Sequence, residues 1–222
     1  MKSSEAPQKS IVMFSGGRDS SLAACLEANS GSEILLMTAK TGATIETDII
    51  DVRVDEIMKA FPRKVVGHLR PHSAGIFRRI AIADIEEDFR KYGTNLILLG
   101  HQMAIQCEAI IAARVNGVSR TVTGFSSYQA DEFMEQMPIA IKVSEDLFAS
   151  YGITFEAPVR SYSSLDDVKF QLLDFGVTTK SLESVSLFAD SFSVPSENAV
   201  FDYMESKIPT CRRYIELKIY GK

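Results

Sequence analysis

Phe14-Ser15-Gly16-Gly17-Arg18-Asp19-Ser20 lies between an apolar run at 11–14 and a stretch at 19–29 in which Leu22, Cys25 and Leu26 recur at core spacing, with Gly31 just beyond it. The run has the length of a strand and the stretch has the period of a helix. A loop that hands a first strand to a first helix sits at the carboxyl edge of an open α/β sheet, where such folds bind ligands. Two adjacent glycines let the backbone come close to an anion, and the hydroxyls of Ser15 and Ser20 add donors. The start of the helix contributes free N–H groups and the positive end of its dipole, so phosphate binding needs no special device here.

Outward from this loop, short apolar runs alternate with helix-period stretches. Strands are expected at 33–39, 65–69, 95–99 and 119–124, with helices at 48–61, 76–92 and 102–115; Pro62, Pro71 and Gly93 mark the stops. The run at 95–99 is the most strand-like in the chain. This alternation is the signature of βαβ units and a parallel sheet. Further on, the reading is a helix at 131–151, a short strand at 153–156, a helix at 165–175, an irregular tail at 181–195, a helix at 196–207 and a final strand at 214–220. The expected fold is α/β, an open parallel five-stranded sheet with helices on both faces. It forms a single domain over 1–222, with a flexible start at 1–9 and a C-terminal elaboration at roughly 181–222.

With 222 residues, 45% of them hydrophobic and 24% charged, the chain can bury a sizeable core, which excludes disorder as a class. A net charge of -5 argues against a protein that grips nucleic acid chiefly through phosphates. The polar opening residues and the short apolar run after them fall far below the ~18 residues a membrane span needs. Three cysteines, Cys25, Cys107 and Cys211, are odd in number and unpaired in spacing, which suits a reducing, cytoplasmic compartment.

The loop lacks the Gly-Lys-Ser/Thr of the usual nucleotide loop and the Gly-x-Gly-x-x-Gly of the dinucleotide fingerprint. Ser-Gly-Gly-x-Asp-Ser after a first strand resembles instead the PP-loop of the N-type ATP pyrophosphatase superfamily, whose fold is adenine nucleotide alpha-hydrolase-like. The resemblance implies an enzyme that cleaves ATP between its α and β phosphates, adenylates a substrate oxygen and releases pyrophosphate into the loop. By it, Ser15, Gly16, Gly17 and Ser20 hold pyrophosphate, with Arg18 part of the same loop, and Asp19 orients the loop or a Mg²⁺ ion. Adenine would lie beside Met37, Thr38 and Ala39, contacted through backbone. A plain Gly-Gly turn with Asp19 as helix cap is the alternative.

Beyond the loop, Glu156-Ala157-Pro158, Asp166-Asp167-Val168 and Gly176-Val177 resemble stretches of 7-cyano-7-deazaguanine synthase, and the segment 124–131 occupies the place of that family's substrate-facing turn, with Tyr128 and Asp131 shared. This implies a small purine-like substrate and displacement of AMP by ammonia. That family's zinc-binding cysteines are missing, since 184–214 holds Cys211 alone, and no structural zinc is expected.

A rival chemistry is thiolation of a nucleobase, nucleotide or tRNA through a persulfide on Cys107, with a sulfur donor protein as partner. Cys107 stands early in the helix expected after Gly100-His101, where a helix start lowers a thiol pKa. The same cysteine shares a stripe with Met103, Ile110 and Ile111, so a buried packing role is the alternative. His101 is a candidate to hydrogen-bond ATP or substrate, and Arg70, leaving the third strand, a candidate to meet a phosphate or carboxylate. Tyr128 can stack on a heterocycle. From another class, a non-catalytic nucleotide-binding regulatory protein shares the sheet, but its phosphate site follows a later strand. A homodimer is one arrangement left open.

Overall fold

The computed structural model describes residues 8–45, 48–187 and 194–221. Residues 1–7 of the expected flexible start lie outside these, as do 188–193 of the expected irregular tail; Lys9 already opens the first strand.

The central strand β1 (Lys9–Met13) is flanked in parallel by β2 (Glu33–Met37) and by β5 (Arg120–Val122). Outside these lie β4 (Val65–Leu69) and β6 (Thr154–Glu156), giving an open, five-stranded, all-parallel sheet in the order β4-β2-β1-β5-β6. Helices cover both faces. On one, Leu22 and Cys25 of α1 (Arg18–Asn29) pack with Ile50 and Ile57 of α2 (Ile49–Ala60) and with Val168 and Leu172 of α7 (Leu165–Asp174). On the other, Leu99, Met103 and Ile110 of α5 (Ile97–Val115) pack with Phe148 of α6 (Pro138–Ala149) and with Tyr203 and Ile215 of α8 (Glu197–Tyr220). Among the described residues, no helix is long and apolar enough to cross a membrane.

Two expected strands are helices. The run 95–99 turns into α5 at Ile97, where the Asn95 side chain accepts a hydrogen bond from the Ile97 N–H at 3.0 Å. Its apolar residues continue at Met103, Ala104, Cys107 and Ile110, all wholly buried; a helix enclosed on every side carries the same unbroken apolar run as a buried strand. The fifth strand is supplied instead by Thr154–Glu156. The run 214–220 is the last part of α8, because Val200, Tyr203, Met204, Lys207, Cys211 and Ile215 form one buried stripe at helical spacing.

Gly100, inside α5, allows a close approach on that face: a Cβ there would come within 2.5 Å of the Tyr203 hydroxyl and 2.7 Å of Ala81. The expected helix at 76–92 is broken into α3 (Ala74–Phe77), a π-helical turn (Arg78–Ile82) and α4 (Ile85–Tyr92), with Arg78 and Arg79 exposed. A two-stranded antiparallel ribbon joins β3 (Thr44–Ile45) to β7 (Val185–Ser186), so the chain beyond α7 returns across the carboxyl edge of the sheet.

Candidate functional site

Strand order reverses at β1, with β2 and β4 to one side and β5 and β6 to the other. The loop after β1 therefore opens at the switch point of the sheet. Gly16 takes the left-handed conformation, φ 81°, and Gly17 is the N-cap of α1, so the turn depends on the first glycine. The loop is cross-tied: Ser15 Oγ lies 3.1 Å from Ser20 Oγ, the Gly17 N–H donates to Ser15 Oγ at 3.2 Å, and Ser21 Oγ donates to the Gly17 carbonyl at 2.6 Å. Ser15 is exposed while Ser20 is buried beneath it. The glycine backbone, two hydroxyls and the start of a twelve-residue helix thus converge.

Asp19 faces away from the cap role. Its Oδ1 accepts a 2.5 Å hydrogen bond from the Tyr128 hydroxyl. Burial raises the Asp19 carboxyl above its ordinary value, the Tyr128 bond opposes this, and the Glu183 carboxylate nearby raises it further. Tyr128 thus stands at the loop, in a turn ordered by Ser126, whose N–H donates to Gln136 Oε1 at 2.7 Å. Asp131 is exposed in the same turn. Gly124 lets this segment reach the loop, because a Cβ there would strike the backbone of Asp19 and Ser20. Further along, Glu135 has a buried Oε2 without a hydrogen-bond partner, and burial pushes its carboxyl up to about 7.

At the end of β2, Met37 is buried and its carbonyl accepts from the Phe14 N–H at 2.8 Å. Thr38 Oγ1 donates to the Phe14 carbonyl at 2.7 Å and lies 2.8 Å from His68 Nε2; Ala39 follows, half-buried. Arg70 sits on this edge in an ion pair with Asp51 of α2. Burial, and then the Arg70 charge, lower the His68 imidazole, against the pull of Asp51.

His101 and Cys107 lie deeper. His101 is in the second turn of α5, with Nε2 2.8 Å from Thr41 Oγ1 and its ring edge-on to Phe77. Burial lowers its pKa to about 4, so it is neutral. Cys107 is ten residues beyond the start of α5 rather than near it, wholly buried, and beside Cys211 of α8. The Cys211 neighbour and burial raise its thiol well above the usual range, which is the opposite of activation. Cys25, buried in α1, is pushed up to about 12 by burial.

The sequence reading missed what covers the loop. After α7 the chain runs 178–187 across it: Arg18 Nε donates to the Thr179 carbonyl at 2.7 Å, and the Leu182 N–H donates to the Gly16 carbonyl at 3.2 Å. Arg53, fully buried, holds the same segment by hydrogen bonds to the Thr178 carbonyl at 2.6 Å and to the Lys180 carbonyl. Only a lone arginine in an amphipathic helix could have signalled this, and nothing in its spacing does. Among the described residues, no three His, Cys, Asp or Glu side chains converge as a metal site.

No protein-family model matches the chain, and no curated protein matches it. Its structure is similar to that of a 4-thiouridine synthetase solved in complex with RNA and with bound ATP, with a TM-score of 0.67 and 15% identity over 96% of this chain and 53% of that one. The chain therefore spans about half the length of that protein. A predicted subunit of a tRNA methyltransferase from Methanocaldococcus jannaschii DSM is also matched, with a TM-score of 0.48 and 16% identity over 81% of this chain and 97% of that one. At such identities the first likeness shows the fold, the adenine nucleotide alpha-hydrolase-like arrangement.

Proposed function

We propose that this protein is an ATP pyrophosphatase that adenylates a carbonyl or carboxyl oxygen on a small purine-like molecule, releases pyrophosphate into the loop 15–20, and admits ammonia to displace AMP. The observation that carries this reading is the convergence of Gly16, Gly17, Ser15, Ser20 and the start of α1 at the switch point of the sheet. The donor set fits an anion of high charge, and the backbone at Met37, Thr38 and Ala39 offers the edge on which adenine would lie. Attack by the substrate oxygen on the α-phosphorus breaks the bond to the β-phosphate, and the loop amides and hydroxyls take up the charge that develops on the leaving pyrophosphate. Asp19 is the residue that would hold Mg²⁺, which would neutralise phosphate charge. Tyr128 fixes that carboxylate and borders the substrate side.

A second reading, thiolation of a nucleobase in a nucleotide or tRNA, is favoured by the structural likeness to a 4-thiouridine synthetase. All three cysteines are buried, so sulfur would come from an outside donor rather than from a Cys107 persulfide. The likeness to 7-cyano-7-deazaguanine synthase draws no support from the structural neighbours.

The test is substrate-dependent release of AMP and pyrophosphate across purine and deazapurine acceptors, with ammonium or sulfide as donor and the product weighed by mass spectrometry. Asp19→Asn and Ser15→Ala should each lower pyrophosphate formation by roughly a hundredfold with the fold intact. Full turnover in both variants would remove the loop assignment, and sulfur in the product would replace the ammonia reading with the second one.

A further inference from the structure

The segment 178–187 is pinned at both ends. Proximally, Arg53 and Arg18 hold the carbonyls of Thr178, Thr179 and Lys180. Distally, β7 pairs with β3 and the Leu187 N–H donates to the Ala43 carbonyl at 2.8 Å. Between these anchors the chain lies directly on the two glycines. A Cβ on Gly16 would collide with the Leu182 carbonyl, and one on Gly17 would come within 2.7 Å of Glu183 Oε2. The other oxygen of that carboxylate accepts a 2.7 Å hydrogen bond from Ser181 Oγ, so its orientation is set. An anionic group thus rests at the N-cap of α1, where the loop offers its positive end.

We propose that this segment is an autoinhibitory cover in which the Glu183 carboxylate stands in for a phosphate, so that pyrophosphate or the phosphates of ATP enter only by displacing it. The inference rests on the reading that the loop takes pyrophosphate. Three features make the displacement workable. Glu183 is exposed, so leaving the loop returns it to water without crossing a core. Among the described residues, only the Leu182 N–H bond to Gly16 ties the middle of the segment to the loop backbone, and the two-residue ribbon is short enough to part. Asp19, beside Glu183, carries a like charge that opposes the closed position and is relieved when the carboxylate departs. A ligand that must first open the cover binds with its affinity reduced by the fraction of open molecules.

The experiment titrates inorganic pyrophosphate with Mg²⁺ into the full chain by calorimetry, for wild type and Glu183→Gln, and follows amide exchange at 182–187 with and without pyrophosphate. The substitution keeps the shape and the Ser181 contact while removing the competing charge. It should tighten pyrophosphate binding by roughly fivefold. In wild type, pyrophosphate should speed exchange at Leu182 and Leu187, whose N–H groups bond the loop and the ribbon when the cover is down. Equal or weaker binding by Glu183→Gln, or slower exchange on binding, would overturn the cover while leaving the loop assignment standing. Absence of binding to either protein would remove the loop reading, and this inference with it.

Discussion

His101 tests whether the deep end of the carboxyl edge is packing or chemistry. Its Nε2 bonds Thr41, its ring meets Phe77, and burial lowers its pKa from 6.5 to about 4. An imidazole kept neutral in the fold but free to protonate when unfolded costs stability as the medium turns acidic. This contribution is fully present above pH 6.5 and is lost progressively as pH falls toward 4. Between pH 7.5 and 5.5 the unfolded form gains about one proton at this site, which corresponds to a loss of about 1.4 kcal/mol. His101→Gln keeps a polar group near the Thr41 hydroxyl and removes the titration. Urea unfolding of both proteins at the two pH values gives a double difference in which other groups, His68 included, cancel. The expected result is a loss larger in wild type than in the variant by that amount. Equal losses would refute the assignment of a buried neutral histidine and return His101 to the solvated site as a group that exchanges protons.

Two other perturbations probe the framework and the thiols. Glu27 is buried with Arg120 and Ser10 at the opposite edge of the sheet; burial alone would raise its carboxyl, but hydrogen bonds from Ser10, Arg120 and Ser32 and the Arg120 charge hold it below the usual range. Arg120→Met should destabilise by about 2 kcal/mol at pH 7, less than for a fully enclosed pair because Arg120 and Glu156 are partly exposed. Glu27's stabilisation is full above the ordinary carboxylate pKa and disappears as pH falls through its depressed folded value, so the gap between the two proteins should narrow there in chemical denaturation. Cys107→Ala should cost about 1 kcal/mol of stability and leave AMP and pyrophosphate release unchanged; loss of product formation in a folded variant would restore the sulfur-carrier reading.

The loop and the strands that frame it were legible because their signals are local. Gly16-Gly17 between an apolar run and a helical stripe, and the stops at Pro62 and Gly93, need no knowledge of the rest of the chain. Two kinds of feature were not. Enclosure on all sides erases periodicity, so Ile97 to Leu99 carry the pattern of a strand although α5 runs through them, and the three-residue β6 is too short to stand out as one of the five. Contacts distant in sequence leave no pattern either: Arg53 holding the carbonyls of Thr178 and Lys180, Glu183 against Gly17, and Cys211 beside Cys107 are visible only once the chain has folded. The hydrogen bond from the Tyr128 hydroxyl to Asp19 belongs to the same class, joining residues more than a hundred positions apart.

The position of α8 has a consequence for how the molecule is made. Its residues Val200, Tyr203, Met204, Cys211 and Ile215 close the same core that α5 opens about a hundred residues earlier. During synthesis the face of α5 that packs on α8 stays uncovered until residues 197–220 have left the ribosome, a delay of several seconds at about 5–20 residues per second. Over that interval β1, the π-helical turn and α6 can already pack on the rest of α5, while the face that meets Tyr203 and Ile215 stays open to solvent.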